Sequence, residues 1–137
     1  MDKIFCNSIQ LFSKKMINTV SKKWGYELWI ENNSQYCGKH LHVMPNKQCS
    51  VHYHKNKKET FYVIDGELII EYSSCLDRSN WENMININIK LLSEGESFTI
   101  EPFTAHRFYS GSKSSCDFIE ISTHHNDNDS FRLIESV

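Results

Sequence analysis

The chain has 137 residues, and its 15 lysine and arginine residues against 17 aspartate and glutamate residues give a formal net charge of −2 at pH 7. This length suits one domain with a single hydrophobic core. The near-neutral balance, with no basic stripe, argues against nucleic acid as a partner.

The sequence shows no membrane-spanning or exported character. No apolar stretch approaches the length of a membrane span, and residues 1–20 lack the basic start and apolar block of a secretory signal. The five cysteines are scattered and contain no C-x-x-C pair, which favours free thiols over a disulfide framework. We therefore expect a cytoplasmic protein without a membrane partner.

The pattern along the chain is predominantly β. Residues 1–23 are ambiguous between an arm, a short helix and an edge strand, and residues 24–137 form the single predicted domain. Short half-apolar runs broken by Asn, Ser and Pro predict strands, which lie at 26–30, 38–44, 48–54, 60–64, 67–72, 84–92, 97–100, 105–109 and 117–122. Many short antiparallel strands joined by regular turns predict a sandwich or a barrel.

Two connections and the tail carry further expectations. Asp65-Gly66 predicts a two-residue hairpin, because both central positions of such a turn favour positive φ. Residues 73–83 are expected to be a polar loop around Trp81. Residues 84–92 alternate in polarity, as a strand with one wet face does. The tail after Thr123 is polar as far as Phe131.

Four side chains form a candidate metal-binding set. His52 and His54 are separated by one residue, so on a strand both imidazoles point to the same face. A loop at 55–58 would return the chain and bring Glu59 beside them, and His106 follows later. Three imidazole nitrogens and one carboxylate oxygen suit a divalent first-row metal. The alternative interpretation is surface histidines without a ligand role.

This arrangement resembles the first motif of the cupin family, an H-x-H pair followed by a glutamate and a glycine. His52, His54, Glu59 and Gly66 match it, and Asn46 takes the place of a leading glycine, which is tolerable because asparagine also adopts the left-handed conformation. The resemblance spans about residues 24–132. It implies an all-β fold, a small antiparallel jelly-roll barrel, with the metal inside its mouth.

The second cupin motif is matched less closely. Gly95 and His106 keep the family's separation, whereas Pro102 comes one place late, Phe103 stands where glycine is usual and Ser110 replaces asparagine. None of these departures removes a ligand. The resemblance implies one divalent metal ion (zinc, manganese, iron or nickel) bound by His52, His54, Glu59 and His106. It also implies a homodimer.

Two flanking segments resemble the cupin domains of type II phosphomannose isomerases. They are residues 23–27, which read K-W-G-Y-E, and residues 120–123, which read E-I-S-T and are followed by Asp129 and Arg132. This resemblance implies a small-molecule substrate, a sugar or a sugar phosphate.

The pattern H-x-H-x-x-K-x-E of the cupin lyxose isomerases is reproduced by His52, His54, Lys57 and Glu59. In an aldose–ketose isomerisation the metal acts as a Lewis acid, and a carboxylate, a histidine or a lysine of lowered pKa moves the proton. Lys57 is therefore the catalytic candidate, for substrate binding or for this proton transfer, and a solvated lysine in a charged turn is the alternative.

Other residues and other functions complete the expectations. Arg132 is a candidate for binding a phosphate or carboxylate, and Tyr62 for the pocket wall and substrate contact. His40 and His42 are expected to be structural, and His124 and His125 to face solvent. A dioxygenase or decarboxylase cupin and a non-catalytic, metal-containing sugar-binding module remain open as alternative functions.

Overall fold

A computed structural model describes residue 14 and residues 16–137. Within that part of the chain there is one short α-helix, α1 (Arg78–Glu82), and one 3₁₀ helix (Asp127–Asp129). The remaining elements are strands, namely β1 (Asn18–Lys22), β2 (Gly25–Asn32), β3 (Cys37–Val43), β4 (Val51–Tyr53), β5 (Glu59–Asp65), β6 (Leu68–Ser73), β7 (Asn88–Leu92), β8 (Ser97–Ile100), β9 (Ala105–Ser110), β10 (Cys116–Ser122) and β11 (Phe131–Ile134).

The strands form two antiparallel sheets. The first has the order β1-β2-β3-β10-β5-β8, and the second has the order β11-β4-β9-β6-β7. Strands distant in sequence lie side by side, as β3 and β10 do, because the chain crosses repeatedly from one sheet to the other. The expected all-β, antiparallel jelly-roll fold is confirmed.

The core lies between the inner faces of the two sheets. Alternation along β3 shows how the sequence specifies it: Leu41 and Val43 are buried, whereas His40 and His42 face outward. Phe108 meets Phe118 edge to face, with ring centroids 5.0 Å apart. Full burial of one such side chain contributes about 1.5–3 kcal/mol to the free energy of unfolding. Polar side chains face inward where the metal-ligand candidates lie.

The two-residue hairpin predicted at Asp65-Gly66 is wrong. The strands that flank it, β5 and β6, belong to different sheets and do not pair. Gly66 has a φ of +86°, and a Cβ at that position would lie 2.7 Å from the carbonyl oxygen of Ser115. Glycine is therefore required because the chain crosses between the sheets directly against the start of β10.

Residues 73–92 also differ from the prediction. The expected polar loop contains α1, and Trp81 on that helix is only 1% exposed. The strand expected from residue 84 begins at Asn88, because Met84 and Asn86 both have positive φ and interrupt the extended backbone.

The two ends of the described chain are strands. Asn18–Lys22 forms β1 at one edge of the first sheet, while residues 1–13 lie outside the described residues. Beyond the polar stretch that follows Thr123, the tail forms β11, which pairs with the ligand-bearing strand β4. The described cysteines, Cys37, Cys49, Cys75 and Cys116, are free thiols, as expected. No helix in the described part of the chain is long and apolar enough to cross a membrane.

A matched pair of glycine substitutions tests the crossing between β5 and β6. Gly66 and Gly95 have nearly the same φ, +86° and +83°, but a Cβ at Gly95 meets nothing within 4 Å. Gly95→Ala should cost roughly 1–2 kcal/mol for the left-handed backbone alone. Gly66→Ala should cost a further 1–3 kcal/mol or so, because a steric clash is added. Urea denaturation measures both values, and equal losses would contradict the crossing described here.

Candidate metal centre

Three histidines from neighbouring strands converge at one end of the core. His52 on β4 is the direct partner of His106 on β9, and their ring centroids are 4.5 Å apart. His54 follows β4 on the same face as His52, with ring centroids 5.1 Å apart. One ligand nitrogen from each histidine lies within 4.8 Å of the others. These three imidazoles could hold a metal ion.

Hydrogen bonds fix the same tautomer in all three rings. Each Nδ1 donates to a backbone carbonyl: His52 to Ser50 at 2.9 Å, His54 to Asp129 at 2.8 Å and His106 to Thr104 at 2.9 Å. A carbonyl oxygen can only accept, so Nδ1 carries the hydrogen. When the rings are neutral, each Nε2 therefore has the lone pair, as is usual for histidines that bind metals.

Glu59 approaches from the opposite sheet, where it is the first residue of β5 and only 1% exposed. Its Oε1 lies 2.8 Å from Nε2 of His106, and its Oε2 lies 3.5 Å from Nε2 of His54. Lys57 Nζ is 3.2 Å from Oε2, within ion-pair range, but among the described residues this buried oxygen accepts no well-aligned hydrogen bond. Burial of a carboxylate oxygen without a hydrogen bond lowers the free energy of unfolding.

The donor set fits a divalent cation. Nε2 of His106 and Oε1 of Glu59 lie 2.8 Å apart, a hydrogen bond when Nε2 carries a proton, and a bound cation would take the place of that proton. Ligand atoms at right angles around an ion, each about 2.1 Å from it, are themselves about 3 Å apart. The spacing of the three histidines therefore fits a metal ion, and Glu59 beside His106 stays the predicted fourth ligand.

The electrostatics favour the protonation states that bind metal. Burial lowers the pKa of His52 well below its ordinary value, and the neighbouring imidazoles act in the same direction. Burial also lowers the pKa of His54. For Glu59, burial raises the pKa, but Lys57 and His106 outweigh it and hold the carboxyl well below its usual range. Neutral imidazole and carboxylate are the forms that coordinate a cation.

Lys57 is buried, so its interpretation as a solvated lysine is wrong. Its Nζ lies 2.7 Å from Glu120 Oε2, 3.2 Å from Glu59 Oε2 and 3.0 Å from His125 Nδ1. Burial opposes the charged ammonium, but the carboxylates of Glu120 and Glu59 prevail and raise the pKa of Lys57 above its ordinary value. Lys57 is therefore a cation beside the ligand set, and it does not have the lowered pKa that a lysine needs to carry the proton.

His125 was expected to face solvent, and this prediction is wrong. Its side chain is 12% exposed; it receives a hydrogen bond from Lys57 and lies 2.8 Å from Asp127 Oδ1. Its ring packs edge to face on Trp29, with centroids 5.1 Å apart. Burial, followed by the nearby charge of Lys57, lowers the pKa of His125. The adjacent Asn- and Asp-rich residues obscured this in the sequence.

Glu120 is a site residue that the search for metal ligands missed. It lies on β10 between the inward-facing Phe118 and Ser122, and it is 5% exposed. Its Oε2 contacts Lys57 Nζ and is 3.5 Å from the hydroxyl of Ser122. The alternation of β10 was the signal that could have found it, because a glutamate in an apolar inward row must face a partner.

Asp129 shapes the loop that carries Lys57. Its carboxylate accepts hydrogen bonds from the backbone N–H groups of Lys55, Asn56 and Lys57 at 2.8, 3.1 and 3.0 Å. Its own carbonyl accepts from Nδ1 of His54. One residue therefore orients both a candidate metal ligand and the lysine beside the site.

The two predicted substrate contacts occupy different positions. Arg132 lies on β11 beside His52, at the rim of the cavity, where its exposed guanidinium donates to Glu135 at 3.1 Å. Tyr62 is 44% exposed on the outer face of β5, because the pleat turns Phe61 and Val63 inward on either side of it. The predicted contact of Tyr62 with a ligand in the cavity is therefore wrong.

A cavity of about 770 Å³ opens onto the histidines. Its lining is mainly polar and includes Glu27, Lys39, Lys57, Glu59, Glu120 and His125. Trp24, Leu41 and Phe108 supply an apolar part of the wall. The cavity is large enough for a small molecule with several hydrogen-bonding groups.

Comparison with family models settles the family. The model described as Cupin matches residues 17–136. The chain belongs to the cupin family. The expected cupin resemblance is thereby confirmed at the level of the family, and a comparison with curated proteins found no match.

Solved structures share the cupin fold at low sequence identity. The capsular polysaccharide assembling protein CapF from Staphylococcus aureus matches with a TM-score of 0.73 and 16% identity over 89% of this chain and 35% of that chain. Oxalate decarboxylase from Lactobacillus farciminis matches with a TM-score of 0.68 and 16% identity over 85% and 34%. Oxalate decarboxylase from Bacillus subtilis matches with a TM-score of 0.69 and 15% identity over 85% and 30%. This chain thus spans about a third of the length of each of these proteins.

Removal of one imidazole tests the ligand set. His54→Ala should lower metal affinity more than about 100-fold, because loss of a direct ligand exceeds the 10–100-fold cost of disturbing residues around a site. Metal analysis after dialysis and calorimetric titration measure the change. His124→Ala is the matched control, since His124 is exposed and its one hydrogen bond within the described residues is donated by Nδ1 to the carbonyl of Asn33. Stoichiometric metal in the His54 variant would contradict the assignment.

Acid should destabilise the metal-free protein. His52 and His54 have lowered pKa values when folded, so as the pH falls through the ordinary value of about 6.5 the unfolded chain takes up these protons before the folded chain does. The free energy of unfolding should therefore fall between pH 7.5 and pH 5, by up to about 1.4 kcal/mol per histidine for each pH unit below 6.5. Urea denaturation in the presence of a chelator measures this slope.

The control for that slope is a pair of variants. The double substitution His52→Asn with His54→Asn should flatten the dependence on pH, and His124→Asn should leave it unchanged. A wild-type protein equally stable at pH 7.5 and pH 5 would contradict the buried, neutral state of the two imidazoles.

Proposed function

We propose that this cupin is a metal-dependent enzyme that acts on a sugar or sugar phosphate, by aldose–ketose isomerisation or epimerisation. One divalent ion would be held by His52, His54, Glu59 and His106. The observation that carries the proposal is the polar chain beside these ligands, in which Lys57 joins Glu59 to Glu120 and His125 within 3.2 Å. Side chains that can take up or release a proton therefore lie next to the candidate metal ligands.

When bound, a divalent ion supplies Lewis acidity, which polarises a carbonyl oxygen and stabilises negative charge on it. The chain's own residues would manage the proton. Glu120 is the proposed base: Lys57 and Ser122 hold its Oε2, while Oε1 has no hydrogen-bond partner among the described residues and the side chain lines the cavity. A positioned carboxylate of this kind moves a proton between adjacent carbons.

Lys57 is proposed to orient Glu120 through the ion pair between Nζ and Oε2 at 2.7 Å and to stabilise negative charge that develops on substrate oxygens. Its cationic state suits this electrostatic role better than that of a base. His125 is oriented on both sides, since Lys57 donates to its Nδ1 and its Nε2 lies against Asp127. It therefore supports the position of Lys57.

The character of the cavity supports a polyhydroxylated substrate. Charged and hydroxyl-bearing side chains dominate its lining, and a substrate with many hydroxyl groups can match such donors and acceptors. The structural similarity to CapF, a capsular polysaccharide assembling protein, supports the same substrate class. The predicted homodimer and the predicted phosphate contact of Arg132 stay predictions.

A second candidate function is a decarboxylase or dioxygenase reaction. The similarity to oxalate decarboxylases favours it, because the Bacillus subtilis enzyme has Mn(II) centres, and a site of three histidines and one carboxylate also serves manganese or iron. A third outcome is a sugar-binding module without turnover. Oxygen uptake or carbon dioxide release with organic acids would distinguish the second candidate, and saturable sugar binding without turnover the third.

Exchange with deuterium oxide tests the proposed reaction. Metal-loaded protein is incubated in D2O with aldoses, ketoses and their phosphates, and deuterium at the carbons next to the carbonyl is followed by NMR. Proton abstraction should appear as exchange even where net conversion is small. Lys57→Met and Glu120→Gln should retain metal and slow the exchange at least about 100-fold, the lower range for loss of acid–base catalysis.

The neighbouring Lys58 provides the matched control. Lys58 is exposed and pairs with Glu101 at 3.2 Å, so Lys58→Met should exchange at the wild-type rate. Deuterium exchange at the wild-type rate in the Lys57 variant would mean that Lys57 has a structural role only. No exchange with any sugar, together with turnover of an organic acid, would replace the proposal with the second candidate.

A further inference from the structure

A second buried lysine lines the cavity and has no part in the site described above. Lys39 on β3 is 2% exposed, and its Nζ lies 3.6 Å from Glu27 Oε1 and 4.1 Å from the centroid of the Trp29 ring. Among the described residues, Nζ makes no hydrogen bond to any acceptor. Because Lys39 lines the cavity, the N–H groups of its ammonium are available to a molecule bound there.

Glu27 and Trp29 hold this lysine in place. Glu27 Oε1 accepts a hydrogen bond from Trp29 Nε1 at 2.8 Å, and Lys39 lies over the face of the same indole. The opposite charges of Lys39 and Glu27 balance each other, yet the two side chains together present donors and an acceptor to the cavity. A hydroxyl group, which both donates and accepts, matches such a pair better than an anion, which Glu27 would repel.

The register of the first sheet fixes the distance from the metal ligands. Lys39 is opposite Glu120 on β10, and β10 separates β3 from β5, which carries Glu59. Glu120 is in turn opposite Phe61 on β5, two residues from Glu59. Two strand spacings across the sheet and two residues along β5 place the Cα atoms of Lys39 and Glu59 roughly 12 Å apart. Lys39 therefore lies on a part of the cavity wall remote from Glu59.

We propose that Lys39 and Glu27 form a subsite that binds a hydroxyl group at the end of the substrate remote from the metal ligands. The inference rests on the proposed function and narrows its substrate class. The substrate is a sugar whose far end is an uncharged hydroxyl and not a phosphate. Trp29 holds both charged side chains in position and makes no contact with the substrate itself.

Binding of matched sugars tests the subsite. Metal-loaded protein is titrated calorimetrically with D-glucose, D-mannose and D-fructose and with their 6-deoxy and 6-phosphate derivatives. Wild-type protein should bind a free sugar at least about 10-fold more tightly than its 6-deoxy analogue, since a site built for a hydroxyl discriminates against its loss. Lys39→Met should bind the two equally, whereas a purely structural role would weaken both and keep their ratio.

Two further variants make the result decisive. Lys113→Met, on an exposed loop, is the matched control and should keep the discrimination. Lys39→Met combined with Glu27→Gln removes both charges together, which protects folding because no buried charge is left unpaired, and should also lose the discrimination.

Three results would overturn the subsite. Discrimination that survives in both Lys39 variants would show that the hydroxyl lies elsewhere. A wild-type preference for the 6-phosphate that disappears in Lys39→Met would make this an anion site instead. Either result leaves the proposed sugar chemistry in place. If wild-type protein binds none of these sugars and catalyses no deuterium exchange, the proposed function fails together with the subsite.

Discussion

The burial of the Glu59 carboxylate between two sheets is the constraint on which the site depends. Glu59 begins β5 in one sheet, and His52, His54 and His106 come from β4 and β9 in the other. An ionised carboxylate that is 1% exposed needs compensating positive charge. Lys57 provides part of it, and a metal ion bound through the three Nε2 atoms would provide the rest. The fold thus brings the ligands together by packing sheet on sheet, with no local loop holding all four.

Around this carboxylate almost every polar group has a defined hydrogen-bond or ion-pair partner. The carbonyls of Ser50, Asp129 and Thr104 set the tautomers of the three histidines. Asp129 also fixes the loop of Lys57 through three backbone N–H groups. Such outer contacts orient metal ligands and raise their basicity. The groups left without full partners, Glu120 Oε1 and Lys39 Nζ, line the cavity, and the two proposals about substrate rest on them.

Much of this could be predicted from the sequence, because the ligands obey local rules. The alternation of a strand puts His52 and His54 on one face, and the cupin motifs supply Glu59 and His106. The wrong predictions concern contacts between segments that are distant in sequence. Asp65-Gly66 has the composition of a hairpin, but composition does not say that the flanking strands join different sheets. Tyr62 and His125 were misplaced for a similar reason: the inward register of β5 and the packing of His125 on Trp29 depend on strands distant in sequence.

The most direct test of the central claim is anomalous X-ray diffraction from crystals of the metal-loaded protein, recorded at the absorption edge of the bound ion. We predict one ion per chain, coordinated by Nε2 of His52, His54 and His106 and by the carboxylate of Glu59, with each Nδ1 still donating to its carbonyl. An anomalous peak elsewhere, coordination through Nδ1, or an ion that leaves Glu59 paired only with Lys57 would contradict the account.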